Sequence, residues 1–277
     1  MKPNAYLPEF LVSTAFVDSD SSEVREFVAR SLASALGLSA TDKAIRLFEA
    51  VRDRIRYDPF NVGTTEDDYR ASRITGKPSN YCVPKAILLT AALRAVGIPA
   101  AVGFADVRNH LNSPKLADLM GTDLFIYHGY VALWLDERLF KVTPAFNTEL
   151  CERFGVRQLI FDGKSDALFH EFDTSSHRHM EYVNDRGWFA DPPIGQLLRD
   201  FRTSYPKLWQ SSTHRVSVGD AAFGRDRSRP LHRAGAAQSA RRGDDRRPDR
   251  TGRGRSRRPR RTRTHLDRAR GMRSGTR

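Results

Sequence analysis

The sequence predicts an α+β protein, with helices packed on an antiparallel sheet and a basic tail behind them. Amphipathic helical patterns fill the first hundred residues, and strand-like runs separated by turn signals follow from residue 100. Near residue 212 the composition changes, and apolar residues nearly vanish. We therefore expect one folded domain at residues 1–212 and a disordered, arginine-rich tail at residues 213–277.

The positive charge of the chain is concentrated in this tail. From Arg215 to Arg277 there are 21 arginines, no lysine and 6 aspartates, a net charge of +15, whereas residues 1–214 hold 25 basic and 27 acidic side chains. Clustered arginines are typical of proteins that contact phosphates. The complete absence of lysine instead favours a frameshift in a G+C-rich gene, so we expect no nucleic-acid partner unless the tail is genuine.

The two cysteines, Cys82 and Cys151, are too few for a disulfide framework. The N-terminal residues lack the basic segment and apolar run of a signal peptide. No apolar stretch reaches the roughly 18 residues that a membrane span requires. These features predict a cytoplasmic protein with no membrane partner.

Two amphipathic helices are predicted near the N-terminus, after a strand or wrapping arm at residues 1–19. Asp20 and Glu23 resemble the capping box of the first helix, and Ser39 with Asp42 opens the second. Apolar residues repeat along one face of the first helix, at Val24, Phe27, Val28, Leu32 and Ala35.

A buried helix is predicted to begin near Cys82. Pro84 is tolerated only close to a helix start, and residues 86–93 are apolar almost all round. Gly97 ends the helix. A thiol at a helix start lies near unpaired N–H groups and the positive end of the helix dipole, which lower its pKa. Cys82 is therefore a candidate nucleophile, whereas Cys151 lacks this context and is interpreted as structural.

The second half of the chain predicts an antiparallel sheet. A turn at residues 136–138 joins two strands into a hairpin. The predicted strands cover residues 100–107, 124–135, 139–143, 159–161 and 180–183, and a last helix covers residues 194–201.

His128, within the second of these strands, is the leading candidate for the base that a cysteine nucleophile needs. Thr143 and Asn147 follow across the hairpin, and either could fix the tautomer of the imidazole. The aspartates and histidines of residues 162–179 match no recognised ligand spacing, so we expect no metal and no cofactor.

Four segments together resemble the transglutaminase-like superfamily, whose bacterial members are often described as cysteine proteases. They are Tyr-Cys-Val-Pro-Lys-Ala at 81–86, Arg-Ala-Val-Gly-Ile-Pro-Ala at 94–100, His-Gly-Tyr-Val at 128–131 and Lys-Val-Thr-Pro-Ala-Phe-Asn at 141–147. The resemblance spans most of residues 6–206. It implies a papain-like cysteine proteinase (transglutaminase core) fold, with Cys82 on the helix and His128 on an adjacent strand.

The resemblance also implies cysteine-dependent acyl transfer on peptide or carboxamide substrates. Cys82 would attack the carbonyl with His128 as base. The oxyanion would bind the Cys82 backbone N–H and a second donor, for which Asn80 and Tyr81 are candidates. Transfer to water gives amide hydrolysis, and transfer to an amine gives transglutamination.

The chain departs from the superfamily at the third catalytic position. The superfamily places an aspartate there, usually before a proline, but this chain has Thr143 before Pro144. A threonine hydroxyl can accept a hydrogen bond but offers no charge to an imidazolium. Asn147 could orient the histidine, as an asparagine does in papain-like enzymes. The alternative function is a catalytically impaired transglutaminase-like module that binds its partner without turnover.

Overall fold

The computed structural model describes residues 8–33, 37–109, 113–168 and 180–215. Its α-helices are α1 (Ser22–Leu32), α2 (Ala40–Arg54), α3 (Ala71–Ile74), α4 (Cys82–Ala95), α5 (Pro114–Met120), α6 (Thr148–Phe154), α7 (Ile194–Ser204) and α8 (Pro206–Arg215). Its strands are β1 (Arg56–Tyr57), β2 (Ser79–Asn80), β3 (Ala100–Asn109), β4 (Leu124–Leu135), β5 (Arg138–Val142) and β6 (Met180–Phe189).

Four of the strands form one antiparallel sheet in the order β5-β4-β3-β6. The hairpin between β4 and β5 turns through Asp136 and Glu137, which both have positive φ, as the tight turns that match strand twist require. β1 and β2 form a separate parallel pair. The predicted α+β architecture is confirmed.

The core is built around α4, which is buried from Cys82 to Arg94. One side of this helix packs on β3 and β4, and α1, α2 and α3 cover other sides. A helix that contacts neighbours all round cannot be amphipathic, which is why residues 86–93 carry almost no polar side chain. The prediction of a buried helix here is confirmed.

Several boundaries differ from the sequence predictions. The N-cap of α1 is Ser21, whose hydroxyl accepts from the Val24 N–H, so the assignment of a capping box to Asp20 is wrong. The capping box at Ser39 is confirmed. Residues 159–161 form no strand, because Phe161 packs between Phe48 and Phe140 instead of extending the sheet.

Four short helices, α3, α5, α6 and α8, were not predicted from the sequence. Segments of four to ten residues give too few helical turns for a clear apolar period. Within the described residues, no helix combines the length and apolar character that crossing a bilayer would need.

Some of the sequence predictions concern residues that the structure does not describe. The tail from residue 216 onward, residues 1–7 of the proposed N-terminal arm, and Ala35 lie outside the described residues, as do residues 169–179 of the segment considered for metal ligands. The expected domain boundary at residues 212–213 lies within α8 and stays a prediction.

Candidate active site

Cys82 is the first residue of α4. The N-cap residue, Tyr81, has an extended backbone and provides no side-chain cap, so the N–H groups of the first turn depend on other acceptors. The side chain of Cys82 is 7% exposed, and the N–H groups of Cys82 and Val83 both act on its sulfur. The sequence therefore places the thiol against the positive end of a rigid, buried helix.

β4 passes directly over this first turn. The Gly129 N–H donates to the Sγ of Cys82 at 3.4 Å. A Cβ at Gly129 would lie 2.8 Å from the Cα of Val83, closer than real contacts allow. Only glycine lets the strand come this near, so the peptide bond between His128 and Gly129 lies against the thiol.

His128 is buried, at 5% exposure, and is held within the sheet opposite Ala105 of β3. The residue before it, Tyr127, has a φ of 55°, and the pairing of β3 shifts between Ala105 and Val107. The carboxylate of Asp106 lies in this bulge and accepts from the Tyr127 N–H at 3.1 Å. The backbone just before His128 therefore departs from regular strand geometry, and the Asp106 hydrogen bond holds it in that conformation. Such departures are common at functional sites.

Thr143 follows β5 and is buried. Val142, the last residue of β5, pairs with Val131 of β4, the strand that carries His128. Its N–H donates to the carbonyl of Ala167 at 2.8 Å. Among the described residues its Oγ1 has no hydrogen-bond partner. The hydroxyl can therefore form a hydrogen bond with a neighbouring side chain whose rotamer brings it within bonding distance.

Asn147 has a defined structural contact. It is buried at the N-cap of α6, and its Oδ1 accepts from the Tyr57 N–H at 3.0 Å. This bond joins the chain after β5 to β1. The amide oxygen that would orient an imidazole is thus already engaged by a backbone donor.

Asn80 and Tyr81 differ in what they can donate. The Oδ1 of Asn80 accepts from the Tyr81 N–H at 3.2 Å. The hydroxyl groups of Tyr81 and Tyr69 are 2.8 Å apart, and Tyr69 donates its proton to the carbonyl of Gly63. Tyr81 must therefore donate to Tyr69, which leaves its hydroxyl no proton for an oxyanion.

The expected low pKa of Cys82 is wrong for this conformation. Burial raises the pKa of the thiol to about 11, although the N–H groups of Gly129, Val83 and Cys82 and the nearby Lys85 lower it. The helix start thus acts in the predicted direction, but desolvation of the thiolate is the larger effect.

Cys82 and His128 line the same small cavity, with a volume of about 40 Å³. That volume holds a few water molecules at most and is far below the roughly 300 Å³ of a typical ligand site. The side chains that close it come from β1, α5, β4, α7, α8 and the residue between the last two helices: Tyr57, Met120, Ile126, Phe201, Leu208 and Tyr205. A larger depression of about 510 Å³ is lined by charged residues of α1 and α3 and contains neither cysteine.

Sequence patterns missed several of these residues. Gly129 could have been found, because a glycine inside a strand signals a close backbone approach. Tyr57, Tyr127 and Asp106 carry no such signal, since only the fold brings them to the cavity wall or to the strand that presents His128.

Residues 28–144 match the sequence model of the transglutaminase-like superfamily, and this range includes Cys82 and His128. This part of the chain is therefore similar in sequence to a transglutaminase-like core. The structure has the corresponding fold, in which helices pack on an antiparallel sheet and the central helix begins at the cysteine.

Among solved structures, the chain is similar to one described as a "Putative Cysteine Protease from Cytophaga hutchinsonii". The two sequences are 13% identical over 63% of this chain and 50% of that chain, with a TM-score of 0.35. The chain thus spans half the length of that structure. No curated protein matches the chain.

Proposed function

We propose that the protein is a cysteine-dependent acyl transferase that acts on peptide or carboxamide substrates. Cys82 is the nucleophile, and His128 takes the thiol proton and returns it to the leaving amine. The observation that carries this proposal is the contact of the His128–Gly129 peptide bond with the Sγ of Cys82 at the start of α4. That contact supports the proposal because it joins the start of α4, which carries Cys82, to β4, which carries His128.

The first turn of α4 also favours the oxyanion of a tetrahedral intermediate. The Cys82 N–H lies at the positive end of the helix, where developing negative charge is stabilised. The side-chain amide of Asn80 is the candidate for the second donor. The Tyr81 hydroxyl is a poorer candidate because it donates to Tyr69.

Substrate entry requires the cavity to open. Its walls from α5, α7 and α8 meet over the thiol, and the volume they enclose is too small for a peptide. When these side chains move apart, water reaches the sulfur, and the desolvation that raises the pKa of Cys82 is removed. The N–H groups and Lys85, which lower the pKa, then dominate.

The experiment that tests this proposal is alkylation of the folded full-length protein with iodoacetamide, followed by peptide mapping. We expect Cys82 to react, and Cys82→Ala to abolish both labelling at this site and hydrolysis or amine transfer on peptide substrates. Cys151→Ala is the matched control, because Cys151 is the other buried thiol and should leave the reaction unchanged. If Cys82→Ala retains full activity, the proposal is wrong.

The alternative function is a catalytically impaired transglutaminase-like module, and Thr143 is the observation that favours it. Its buried hydroxyl offers no charge to an imidazolium at the position where the superfamily has an aspartate. Thr143→Asp separates the two functions. If the wild-type protein binds peptides without turnover and Thr143→Asp gains turnover, the module is the better description. Turnover by the wild-type protein that the substitution does not improve supports the enzyme.

A further inference from the structure

Lys85 lies one helical turn after Cys82 and is completely buried. Its Nζ donates to three main-chain carbonyls. They belong to Arg52, at 2.9 Å, to Ile55, and to Ala145, at 2.7 Å. A lysine without any solvent contact is rare, because removing an ammonium ion from water is costly unless other groups replace the water.

The number of acceptors indicates which protonation state the site is built for. An ammonium group has three N–H donors, and the site offers three carbonyl oxygens. A neutral amine has only two N–H donors and would leave one carbonyl without its hydrogen bond. Two of the acceptors lie at the C-terminal end of α2, where unpaired carbonyls and the helix dipole favour a cation.

Lys85 also connects the parts of the candidate active site. Helical side chains lean towards the N-terminus of their helix, so that of Lys85 leans towards the turn of Cys82. The carbonyl of Ile55 lies directly before β1, which carries Tyr57, and the carbonyl of Ala145 lies between Thr143 and Asn147. One buried cation therefore joins α4 to the segment before β1 and to the segment that carries Thr143 and Asn147.

The charged neighbours do not neutralise this cation directly. The carboxylate of Asp53 acts on Lys85 electrostatically, but both of its oxygens are bound by Arg52, and Thr148 donates to one of them. Burial lowers the pKa of Lys85 to about 7, whereas the charges of Asp53 and Cys82 raise it, and the three carbonyls favour the ammonium form. Lys85 in turn lowers the pKa of Cys82. The titratable or charged groups that face this pair from the surrounding elements are Arg52, Asp53, Tyr57, Asp58, Tyr69, Tyr81, His128, Cys151 and Tyr205.

We propose that Lys85 is a positioning residue whose buried positive charge stabilises the thiolate of Cys82. This inference rests on the proposed function. It supplies a buried cation one helical turn from Cys82 in a chain that has Thr143 where its superfamily has an acid. The thiol proton passes to His128 or to solvent, and Lys85 keeps its own proton throughout.

The test is the pH profile of iodoacetamide alkylation at Cys82, measured on the full chain in a Cys151→Ala background. Lys85→Gln removes the charge but keeps two N–H donors, and Lys85→Met removes both. We expect each variant to raise the apparent pKa of Cys82 by about one unit or more and to slow alkylation near neutral pH by roughly tenfold. Circular dichroism confirms that each variant is folded.

A merely structural role gives a different pattern. If hydrogen bonding alone matters, Lys85→Gln keeps the wild-type pH profile, and the proposal is overturned. If neither neutral variant folds, the test is made on the wild-type protein by measuring the 13Cε chemical shift of Lys85 as a function of pH. That shift must report an ammonium group over the whole pH range in which Cys82 reacts, and a neutral amine in that range refutes the proposal.

The two proposals fail in distinguishable ways. A wild-type Cys82 that does not react with iodoacetamide contradicts the proposed function itself. A reactive Cys82 whose pH profile is unaffected by the Lys85 variants contradicts only the role given to Lys85.

Discussion

The Gly129 N–H donates to the Sγ of Cys82 at 3.4 Å, and this bond joins the two elements that carry the candidate chemistry. One element is the start of a helix that is buried on all sides, and the other is a central strand of the sheet. Because neither can move without disturbing the core, the contact fixes the thiol relative to His128.

Gly129→Ala should destabilise the protein by about 1–3 kcal/mol. The added methyl group would lie 2.8 Å from the Cα of Val83 and 3.1 Å from the carbonyl oxygen of Cys82, so helix and strand must separate. Urea denaturation measures the free energy of unfolding. Gly76→Ala is the control, because no atom lies within 4 Å of its added Cβ and the unfolding free energy should barely change. Equal effects of the two substitutions would contradict the close approach.

Leu208→Ala should expose Cys82. Leu208 of α8 is buried in the wall of the cavity, and truncating it weakens the cover over the thiol. A loss of about 1.4 kcal/mol in local stability raises the open fraction tenfold, so we expect alkylation of Cys82 to accelerate by roughly that factor. The exposed Lys207→Ala on the same helix is the control and should leave the rate unchanged. No acceleration in Leu208→Ala would mean that reagent reaches the thiol by another route.

Tyr69→Phe should destabilise the protein more than Tyr81→Phe does. Tyr69 donates to Gly63 and accepts from Tyr81, so its removal leaves the buried Tyr81 hydroxyl unsatisfied. We expect a cost of about 1–3 kcal/mol for Tyr69→Phe and about 1 kcal/mol for Tyr81→Phe. Thermal and urea unfolding measure both costs. A larger cost for Tyr81→Phe than for Tyr69→Phe would show that Tyr81, rather than Tyr69, is the middle member of this series of hydrogen bonds.

Asp53 should contribute to stability at neutral pH and lose that contribution in acid. Burial by itself would raise the pKa of Asp53, but hydrogen bonds from Arg52 and Thr148 outweigh it and hold the pKa below its usual value of 3.8. A carboxyl with a lowered folded-state pKa stabilises the fold above its unfolded-state pKa. This contribution disappears as the pH falls through the lower, folded-state pKa.

The measurement is the unfolding free energy between pH 7 and pH 2. Asp53→Asn should be less stable than the wild type at pH 7, and the difference should shrink below about pH 4. Glu49→Gln is the control, because Glu49 is exposed on the same helix, whereas Asp53 joins α2 to α6 through Thr148. A constant difference across the pH range would assign the effect to lost packing rather than to charge.

The regular elements of the fold could be predicted where the chain carries a long, clear pattern. The apolar run after Cys82 indicated a buried helix, and β4 and its turn into β5 followed from alternation and turn residues. The short helices α5, α6 and α8 gave no such signal. Two of them, α5 and α8, supply side chains that close the cavity over Cys82.

The candidate site also combines features that the local sequence determines with features that depend on the tertiary structure. The sequence by itself determined the identities of the thiol and the histidine, because a cysteine at a helix start and a histidine within a strand are local features. Only the tertiary structure decided the protonation of Cys82, since burial depends on residues far away in the chain and outweighs the local N–H groups. It likewise decided that Lys85, one turn from the thiol, meets carbonyls that are 30 to 60 residues distant in sequence. Long-range packing sets desolvation and charge, and no local pattern encodes either.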